Sequence, residues 1–300
     1  MMSLRTTAQS APTARPPEGS NRLSARAATL AYDGRTIASE LSLEVPAGEF
    51  TVVVGPNACG KSTLLRALSR LHRPAAGSIV LDGEDIHSLD TKSVARRVGL
   101  LPQSAIAPER MVVRDLVARG RSPHQGLFRQ WSEADHRAVQ RALELTGTTE
   151  LAARPVDELS GGQRQRVWLA LVLAQDTETI LLDEPTTFLD LAHQLDILGL
   201  CRRLRGQQGR TVVAVLHDLN QAARYGTHLV AMNEGRIVAA GPPSEVVTSE
   251  LVREVFGVEA LVTTDPVTGT PLVVPYERDP EPAPEPAGPA SHGAPEPTAD

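Results

Sequence analysis

The sequence of 300 residues predicts an α/β protein with a parallel-sheet core, an antiparallel β subdomain and a helical insertion subdomain. Apolar runs of strand length alternate with amphipathic helical segments, which is typical of a parallel sheet that is covered on both faces. Near the start of the chain, strands with alternating apolar residues are separated by turn sequences, as in a small antiparallel sheet. About fifty residues with helical periodicity then interrupt the core.

The predicted elements follow one another from about Leu23. RAATLAY and LSLEVPAG are strands of the small sheet, and FTVVVG is the first buried strand of the core. KSTLLRALSRL places its leucines on one helical face, and GSIVLDGEDI returns to the small sheet as a hairpin. After the helical insertion at about 104–156, for which Ser132 is a predicted N-cap, TILLDE and TVVAVLHD resume the core, and a helix follows each of them.

Both ends of the chain differ in composition from this body. Residues 1–22 mix Arg, Ser, Thr and Pro and contain no apolar run long enough for a secretory signal. Residues 277–300 are rich in Pro, Ala and Glu, contain no large aliphatic side chain, and hold six acidic residues and one arginine. We expect both ends to be disordered, because neither can bury enough apolar surface to offset the entropy of ordering, which leaves a folded domain at 23–276.

Composition also excludes several classes of function. The net charge is −6, most of it in the acidic tail, and the rest of the chain has no basic stripe, which argues against nucleic acid as a partner. No apolar run approaches the roughly 18 residues that span a bilayer, so we expect any membrane role to be peripheral. The two cysteines, Cys59 and Cys201, are too few for a disulfide framework and fit a reducing cytoplasm.

GPNACGKST, residues 55–63, has the spacing of a phosphate-binding loop between a buried strand and an amphipathic helix. Its glycines permit the turn, and backbone N–H groups between them can point at phosphate oxygens at the positive end of the helix. Lys61 is predicted to reach the β- and γ-phosphates and Ser62 to coordinate Mg²⁺, whereas the alternative is an ordinary glycine-containing turn. The predicted ATP contacts in this loop are Gly55, Pro56, Asn57, Ala58, Cys59, Gly60, Lys61, Ser62 and Thr63.

Such a site also needs a carboxylate at the end of a neighbouring buried strand, and TILLDEP supplies two. Asp183 is predicted to hold Mg²⁺ through water, and Glu184 to act as the general base that polarises the attacking water. A solvated loop carboxylate is the alternative for Glu184. His217 ends a later strand and is predicted to contact the γ-phosphate or orient the water, although a histidine in this place can also be a surface residue.

LSGGQRQR, residues 159–166, is a second glycine-containing turn that opens a helix. Ser160 followed three residues later by Gln163 has the pattern of a capping box. Gly161 and Gly162 allow backbone N–H groups to be approached closely at the positive end of the helix, so the turn can also bind an anion. The two interpretations are compatible.

These motifs, taken in order, resemble those of the ATP-binding cassette (ABC) ATPases, which are P-loop NTPases with a RecA-like core. The resemblance covers about residues 24–260 and includes GPNACGKST, LLPQS, LSGGQ, LLDEP, FLD and VLHD. It implies an ATPase that works with Mg²⁺. Ala58 stands where the wider family more often has glycine; alanine is tolerated there unless a positive φ is required, so we expect no loss of ATP binding.

The resemblance also implies roles for residues outside the phosphate loop. Tyr32 would stack on adenine, although it could equally be an ordinary strand aromatic. Gln103 would touch Mg²⁺ and the attacking water and link the core to the helical insertion. Asp190 would cross the interface of a head-to-tail homodimer. The signature residues that would bind the γ-phosphate of ATP held by the second copy are Ser160, Gly161, Gly162 and Gln163.

Three longer stretches, GPNACGKSTLLRAL, EPTTFLDLAHQLDIL and LHDLNQAARYGTHLVAMNEGRIVAAG, are similar to the ATPase subunits of bacterial importers for iron(III) siderophores. This resemblance implies integral-membrane permease subunits as partners, an extracytoplasmic siderophore-binding protein that acts indirectly, and a peripheral position on the cytoplasmic face of the membrane. A cobalamin or other metal-chelate importer ATPase is the first alternative. A soluble ABC ATPase outside transport is the second, although the sequence has neither the long coiled coils nor the second cassette of such proteins.

Overall fold

The computed structural model of the chain describes residues 22–126, 131–187 and 189–277. The ends for which we expect disorder, 1–22 and 277–300, lie outside the described residues apart from Arg22 and Glu277, so their disorder and the domain boundaries remain predictions. The strands are β1 (Leu23–Tyr32), β2 (Arg35–Val45), β3 (Phe50–Val54), β4 (Ala76–Leu81), β5 (Glu84–Asp85), β6 (Val98–Leu101), β7 (Thr179–Asp183), β8 (Thr211–Val215), β9 (His228–Asn233), β10 (Arg236–Gly241), β11 (Ala260–Thr264) and β12 (Pro271–Pro275). The α-helices are α1 (Lys61–Leu68), α2 (Thr91–Ala95), α3 (Val113–Ala118), α4 (Glu133–Leu145), α5 (Gly161–Ala174), α6 (Leu191–Gln208), α7 (Leu219–Tyr225), α8 (Pro243–Val246) and α9 (Ser249–Phe256).

The core sheet has the strand order β10-β9-β3-β8-β7-β6, and every neighbouring pair is parallel except β10 with β9. Every residue of β3, β7 and β8 is buried. The side chains of β3 alternate between two apolar clusters: Phe50, Val52 and Val54 belong to one, and Val53 to the other. Both faces of the sheet are therefore covered, which confirms the predicted parallel core.

The small sheet is antiparallel and has the order β2-β1-β4-β5, so the predicted subdomain and its hairpin are confirmed. It packs on the same side of the core as α1, whose Leu64 and Leu65 share an apolar cluster with Leu30 of β1. This packing places the end of β1 beside α1, which follows the phosphate-binding loop.

Helices α3, α4 and α5 pack against one another in the helical region. Ser132 is the N-cap of α4, as predicted, and it forms a capping box in which its side chain accepts a hydrogen bond from the backbone N–H of Asp135. Arg121 pairs with the buried Asp135 at 2.9 Å and ties the preceding 3₁₀ segment, Arg119–His124, to α4. Helix α5 begins beyond residue 156 and still packs against α3 and α4, so the signature turn belongs structurally to this region.

Eight elements of the described structure were not predicted from the sequence: β6, α2, β9, β10, α8, α9, β11 and β12. Strand β6 has four residues, and α2 has five, so neither is long enough to show a clear periodicity. Among the described residues, no helix has the length and apolar character needed to cross a membrane.

Candidate functional site

The predicted phosphate-binding and catalytic residues follow the carboxyl ends of parallel strands at one edge of the core sheet. The phosphate-binding loop follows β3, Gln103 follows β6, Glu184 follows β7 and His217 follows β8. Ligands of open α/β sheets collect at this edge, because the loops that leave adjacent strands meet there. The structure therefore brings together residues that are more than one hundred positions apart in the sequence.

The phosphate-binding loop has a backbone that its sequence dictates. Gly55 has a φ of +151°, and a Cβ atom on it would lie 2.1 Å from the carbonyl oxygen of Met232, so only glycine fits. Gly60, with a φ of +105°, begins α1. Alanine at position 58 was expected to be tolerated unless a positive φ is required, and Ala58 does have a φ of +62°. Alanine there costs about 1 kcal/mol relative to a relaxed backbone.

Lys61 is buried inside this loop, with 5% of its surface exposed. Its Nζ donates hydrogen bonds to the carbonyl oxygens of Gly55, at 2.9 Å, and Pro56, at 2.7 Å. These partners are neutral, so the ammonium charge is free to interact with an anion. An anionic phosphate therefore fits a loop that combines a buried cation with the N-terminus of α1. Burial also raises the pKa of the Cys59 thiol above its ordinary value, although the nearby Lys61 opposes that rise.

Ser62 and Asp183 form the predicted metal site. The Ser62 hydroxyl donates to the Asp183 carboxylate at 2.9 Å. Burial raises the pKa of Asp183 above its usual value, the hydrogen bond from Ser62 opposes this rise, and the charge of Glu184 adds to it. Hydroxyl and carboxylate oxygens are ligands that Mg²⁺ prefers, so this pair fits the metal.

Glu184 accepts hydrogen bonds from three side chains. Nε2 of His217 lies 2.8 Å from Oε1, and Nε2 of Gln103 lies 2.8 Å from Oε2. The hydroxyl of Thr187 donates to Oε2 at 3.1 Å. Burial alone would raise the pKa of Glu184, but the bonds from His217, Thr187 and Gln103 outweigh it and hold the pKa below its ordinary value.

Thr187 was not among the residues that the sequence analysis selected. Its position three residues after Glu184 is a local signal, since a hydroxyl there can reach back across a tight turn. Gln103 contacts Glu184 directly, whereas its predicted contact with Mg²⁺ remains a prediction.

Tyr32 ends β1 and is 38% exposed. The centroid of its ring lies 4.4 Å from that of His72, and its hydroxyl accepts a hydrogen bond from Arg66 of α1 at 3.5 Å. The sequence analysis did not select His72. An exposed ring next to α1 is compatible with the predicted adenine contact, which remains a prediction.

Ser160 caps α5 in the predicted capping box. Its hydroxyl accepts from the N–H of Gln163 at 3.3 Å, and the Gln163 side chain accepts from the Ser160 N–H at 3.1 Å. Within the described ranges 22–126, 131–187 and 189–277, no hydrogen bond joins residues 160–163 to residues 55–63. The contact of these residues with ATP held by a second copy of the chain remains a prediction.

Asp190 caps α6 and is exposed. Its carboxylate accepts from the backbone N–H of His193 at 2.9 Å and lies 2.7 Å from His193 Nδ1. The backbone hydrogen bond from His193 is the main reason why the pKa of Asp190 lies below its ordinary value. Its predicted role at a dimer interface remains a prediction.

Comparison with known proteins agrees with this geometry. The family model for the ABC transporter matches residues 38–187, which contain the phosphate-binding loop, the signature turn and the Asp183–Glu184 pair. The chain belongs to the ABC transporter family. Among relatives of this ABC protein, the ferric enterobactin transport ATP-binding protein FepC of Escherichia coli K12 is 55% identical over 86% of this chain and 95% of its own length. The iron(3+)-hydroxamate import ATP-binding protein FhuC of Bacillus subtilis 168 is 46% identical over 86% of this chain and 96% of its own length.

Solved structures confirm the fold of the ABC protein. A metal-chelate type ABC transporter in an inward-facing conformation is 31% identical, with a TM-score of 0.74, over 85% of this chain and 97% of that chain. An ATP-binding cassette solved as a dimer in a post-hydrolysis state with ADP and Pi is 26% identical, with a TM-score of 0.66, over 73% of this chain and 98% of that chain. The predicted fold, an ABC cassette with a parallel core, is therefore confirmed.

Proposed function

We propose that this protein is the ATP-hydrolysing subunit of an ABC importer that carries iron(III)-siderophore complexes across the cytoplasmic membrane. The observation that carries the proposal is the position of Glu184, which is held by three side chains next to the Ser62–Asp183 pair. The relatives named for ferric enterobactin and iron(3+)-hydroxamate transport support the substrate class.

The hydrolytic step depends on the protonation state of Glu184. Because its pKa lies below the ordinary value, the carboxylate is ionised at neutral pH and can accept a proton from the attacking water. His217 and Gln103 orient the carboxylate from opposite sides through Oε1 and Oε2. The buried ammonium of Lys61 binds the phosphates of ATP at the N-terminus of α1.

Ser62 and Asp183, with Gln103, would hold Mg²⁺. When bound, the ion would neutralise part of the negative charge on the phosphates. Tyr32 would contact the adenine ring from the edge of the small sheet.

The complete site requires two copies of the chain. Ser160–Gln163 present a helix N-terminus to the ATP held by the second copy, and Asp190 lies at the interface. The related cassette solved as a dimer with ADP and Pi supports a homodimer. Permease subunits and an extracytoplasmic binding protein would complete the importer, and the chain would sit on the cytoplasmic face of the membrane as a peripheral subunit.

Uptake of radiolabelled iron in cells that lack the native gene tests this function. Cells complemented with the wild-type chain should import iron bound to a catecholate or hydroxamate siderophore, and cells with Glu184→Gln should not. Glu254→Gln is the control, because Glu254 is an exposed residue of α9. Equal uptake of every ferric siderophore by wild-type and Glu184→Gln cells would refute the substrate assignment. Import of labelled cobalamin instead of ferric siderophores would favour the cobalamin importer as the alternative. A cobalamin import ATP-binding protein of Halobacterium salinarum, 43% identical, supports this alternative, although the chain spans only 60% of its length.

A further inference from the structure

Two glutamine side chains from two helices contact the loop 185–190, which joins Glu184 to α6; residue 188 of this loop lies outside the described residues. Gln165 of α5 donates to the carbonyl oxygen of Pro185 at 3.2 Å. Gln194 of α6 donates to the carbonyl oxygens of Leu189, at 3.0 Å, and Thr186, at 3.4 Å. Side-chain amides therefore hold the carbonyl groups of residues 185, 186 and 189, which follow the predicted general base.

Gln194 is in turn held by Gln221 of α7. Nε2 of Gln221 donates to Oε1 of Gln194 at 2.7 Å, and both side chains are partly buried. The orientation of this amide pair is determined, because the loop carbonyls can only accept hydrogen bonds. Gln194 must direct its NH₂ group towards them, so its oxygen faces Gln221, which must act as a donor.

Helix α7 begins directly after His217. Asp218 caps the helix by accepting from the backbone N–H of Gln221 at 2.9 Å, so Gln221 and His217 are held in one rigid segment. His217 contacts Glu184, and Glu184 begins the loop that Gln194 holds. A continuous series of contacts therefore runs from Glu184 along the loop to Gln194, and from Gln194 through Gln221 and α7 to His217. The hydrogen bond between His217 and Glu184 closes the series.

We propose that Gln194 and Gln221 are positioning residues that fix the separation between Glu184 and His217 during ATP hydrolysis. This inference depends on the proposed ATPase function. Neither glutamine contacts the phosphate-binding loop in the described structure, so their effect is on the catalytic step rather than on ATP binding. Loss of the amide pair lets the segments after β7 and β8 move independently, and the hydrogen bond from His217 to Glu184 then lengthens.

Substitution of each glutamine by methionine tests the proposal, because methionine keeps the length of the side chain and removes its hydrogen bonds. In the full-length chain, we expect Gln194→Met and Gln221→Met each to lower kcat by about tenfold, since small displacements at a reacting centre cost one to two orders of magnitude. The KM for ATP should stay within about twofold of wild type.

The double variant Gln194→Met/Gln221→Met should be no slower than Gln194→Met alone, since Gln221 acts through its hydrogen bond to Gln194. Gln207→Met is the matched control, because Gln207 is an exposed residue of the same helix as Gln194, and it should hydrolyse ATP at the wild-type rate. If Gln194→Met fails to fold, Gln221→Met carries the test, because the Nε2 of Gln221 donates to Gln194.

Unchanged kcat in both single variants would overturn the positioning role while the ATPase function stands. A rise in the KM for ATP that matches or exceeds the fall in kcat would also overturn it, because the effect would then lie on ATP binding. A wild-type chain that hydrolyses no ATP would overturn the proposed function and this inference together.

Discussion

Nε2 of His217 lies 2.8 Å from Oε1 of Glu184, although 33 residues separate them in the sequence and they follow different strands. In His217→Ala, the carboxylate loses a hydrogen bond and a favourable charge interaction that lower its pKa. The folded-state pKa of Glu184 therefore rises, and the acid limb of the kcat profile should move to higher pH.

We expect kcat of His217→Ala to fall by about one hundredfold at neutral pH, a typical size for a lost contact to a general base. Steady-state ATPase rates from about pH 3.5 to 8, a range that spans the ordinary glutamate pKa of about 4.3, measure both effects. His136→Ala is the control, because His136 is an exposed residue of α4. His124→Ala is unsuitable, because the ring of His124 hydrogen-bonds the carbonyl oxygen of Gln175. An acid limb that stays in place in His217→Ala would contradict the assigned contact.

Lys61→Ala should abolish measurable ATP binding. The substitution removes the buried ammonium that the loop carbonyls of Gly55 and Pro56 hold in place. We expect the Kd for a fluorescent ATP analogue to rise at least about one hundredfold, as for the loss of other buried charge contacts. Lys92→Ala is the control, since Lys92 is the other lysine of the sequence and its ammonium bonds the carbonyl of Gln125 at the surface. Retained affinity in Lys61→Ala would refute the phosphate-binding assignment.

Ser160→Arg should leave ATP bound to the monomer and block hydrolysis. The arginine fills the turn before α5, where the second copy would place its γ-phosphate, and we expect the ATPase rate to fall about one hundredfold. The lost cap also costs about 1 kcal/mol of stability. Ser132→Ala separates the two effects, because Ser132 caps α4 with the same type of capping box away from the site. Normal hydrolysis by Ser160→Arg would exclude a site shared between two subunits.

Ala58→Gly should raise the free energy of unfolding by about 0.5 kcal/mol, because relief of the positive φ outweighs the larger entropy of glycine in the unfolded chain. The Kd for ATP should stay within about twofold, since both residues present the same backbone N–H groups. Urea unfolding and nucleotide titration measure these quantities. Ala67→Gly, at a buried position inside α1, should instead destabilise the protein by about 1 kcal/mol. A destabilised Ala58→Gly would show that the left-handed backbone carries no strain.

Much of the site was predictable because its motifs are contiguous. The phosphate-binding loop, the Ser160 cap and the Ser132 cap depend on backbone groups within a few residues, so their spacing identifies them. The buried strands β3, β7 and β8 were predictable from uninterrupted apolar runs. The strands β6, β9 and β10, which also belong to this sheet, were not predicted, and β6 has only four residues, too few to show a clear periodicity.

The sequence by itself determined which side chains could bind phosphate, a metal ion and a proton. Only the tertiary structure decided their arrangement around Glu184. Strand β7 lies between β8 and β6 in the sheet, so His217 and Gln103, which follow those strands, reach Glu184 from its two sides. Burial of apolar side chains on both faces sets this strand order, and adjacent strands lie only about 4.8 Å apart, within reach of side-chain hydrogen bonds. The contact between Gln194 and Gln221 has the same origin, since α6 and α7 meet where both pack against the core sheet.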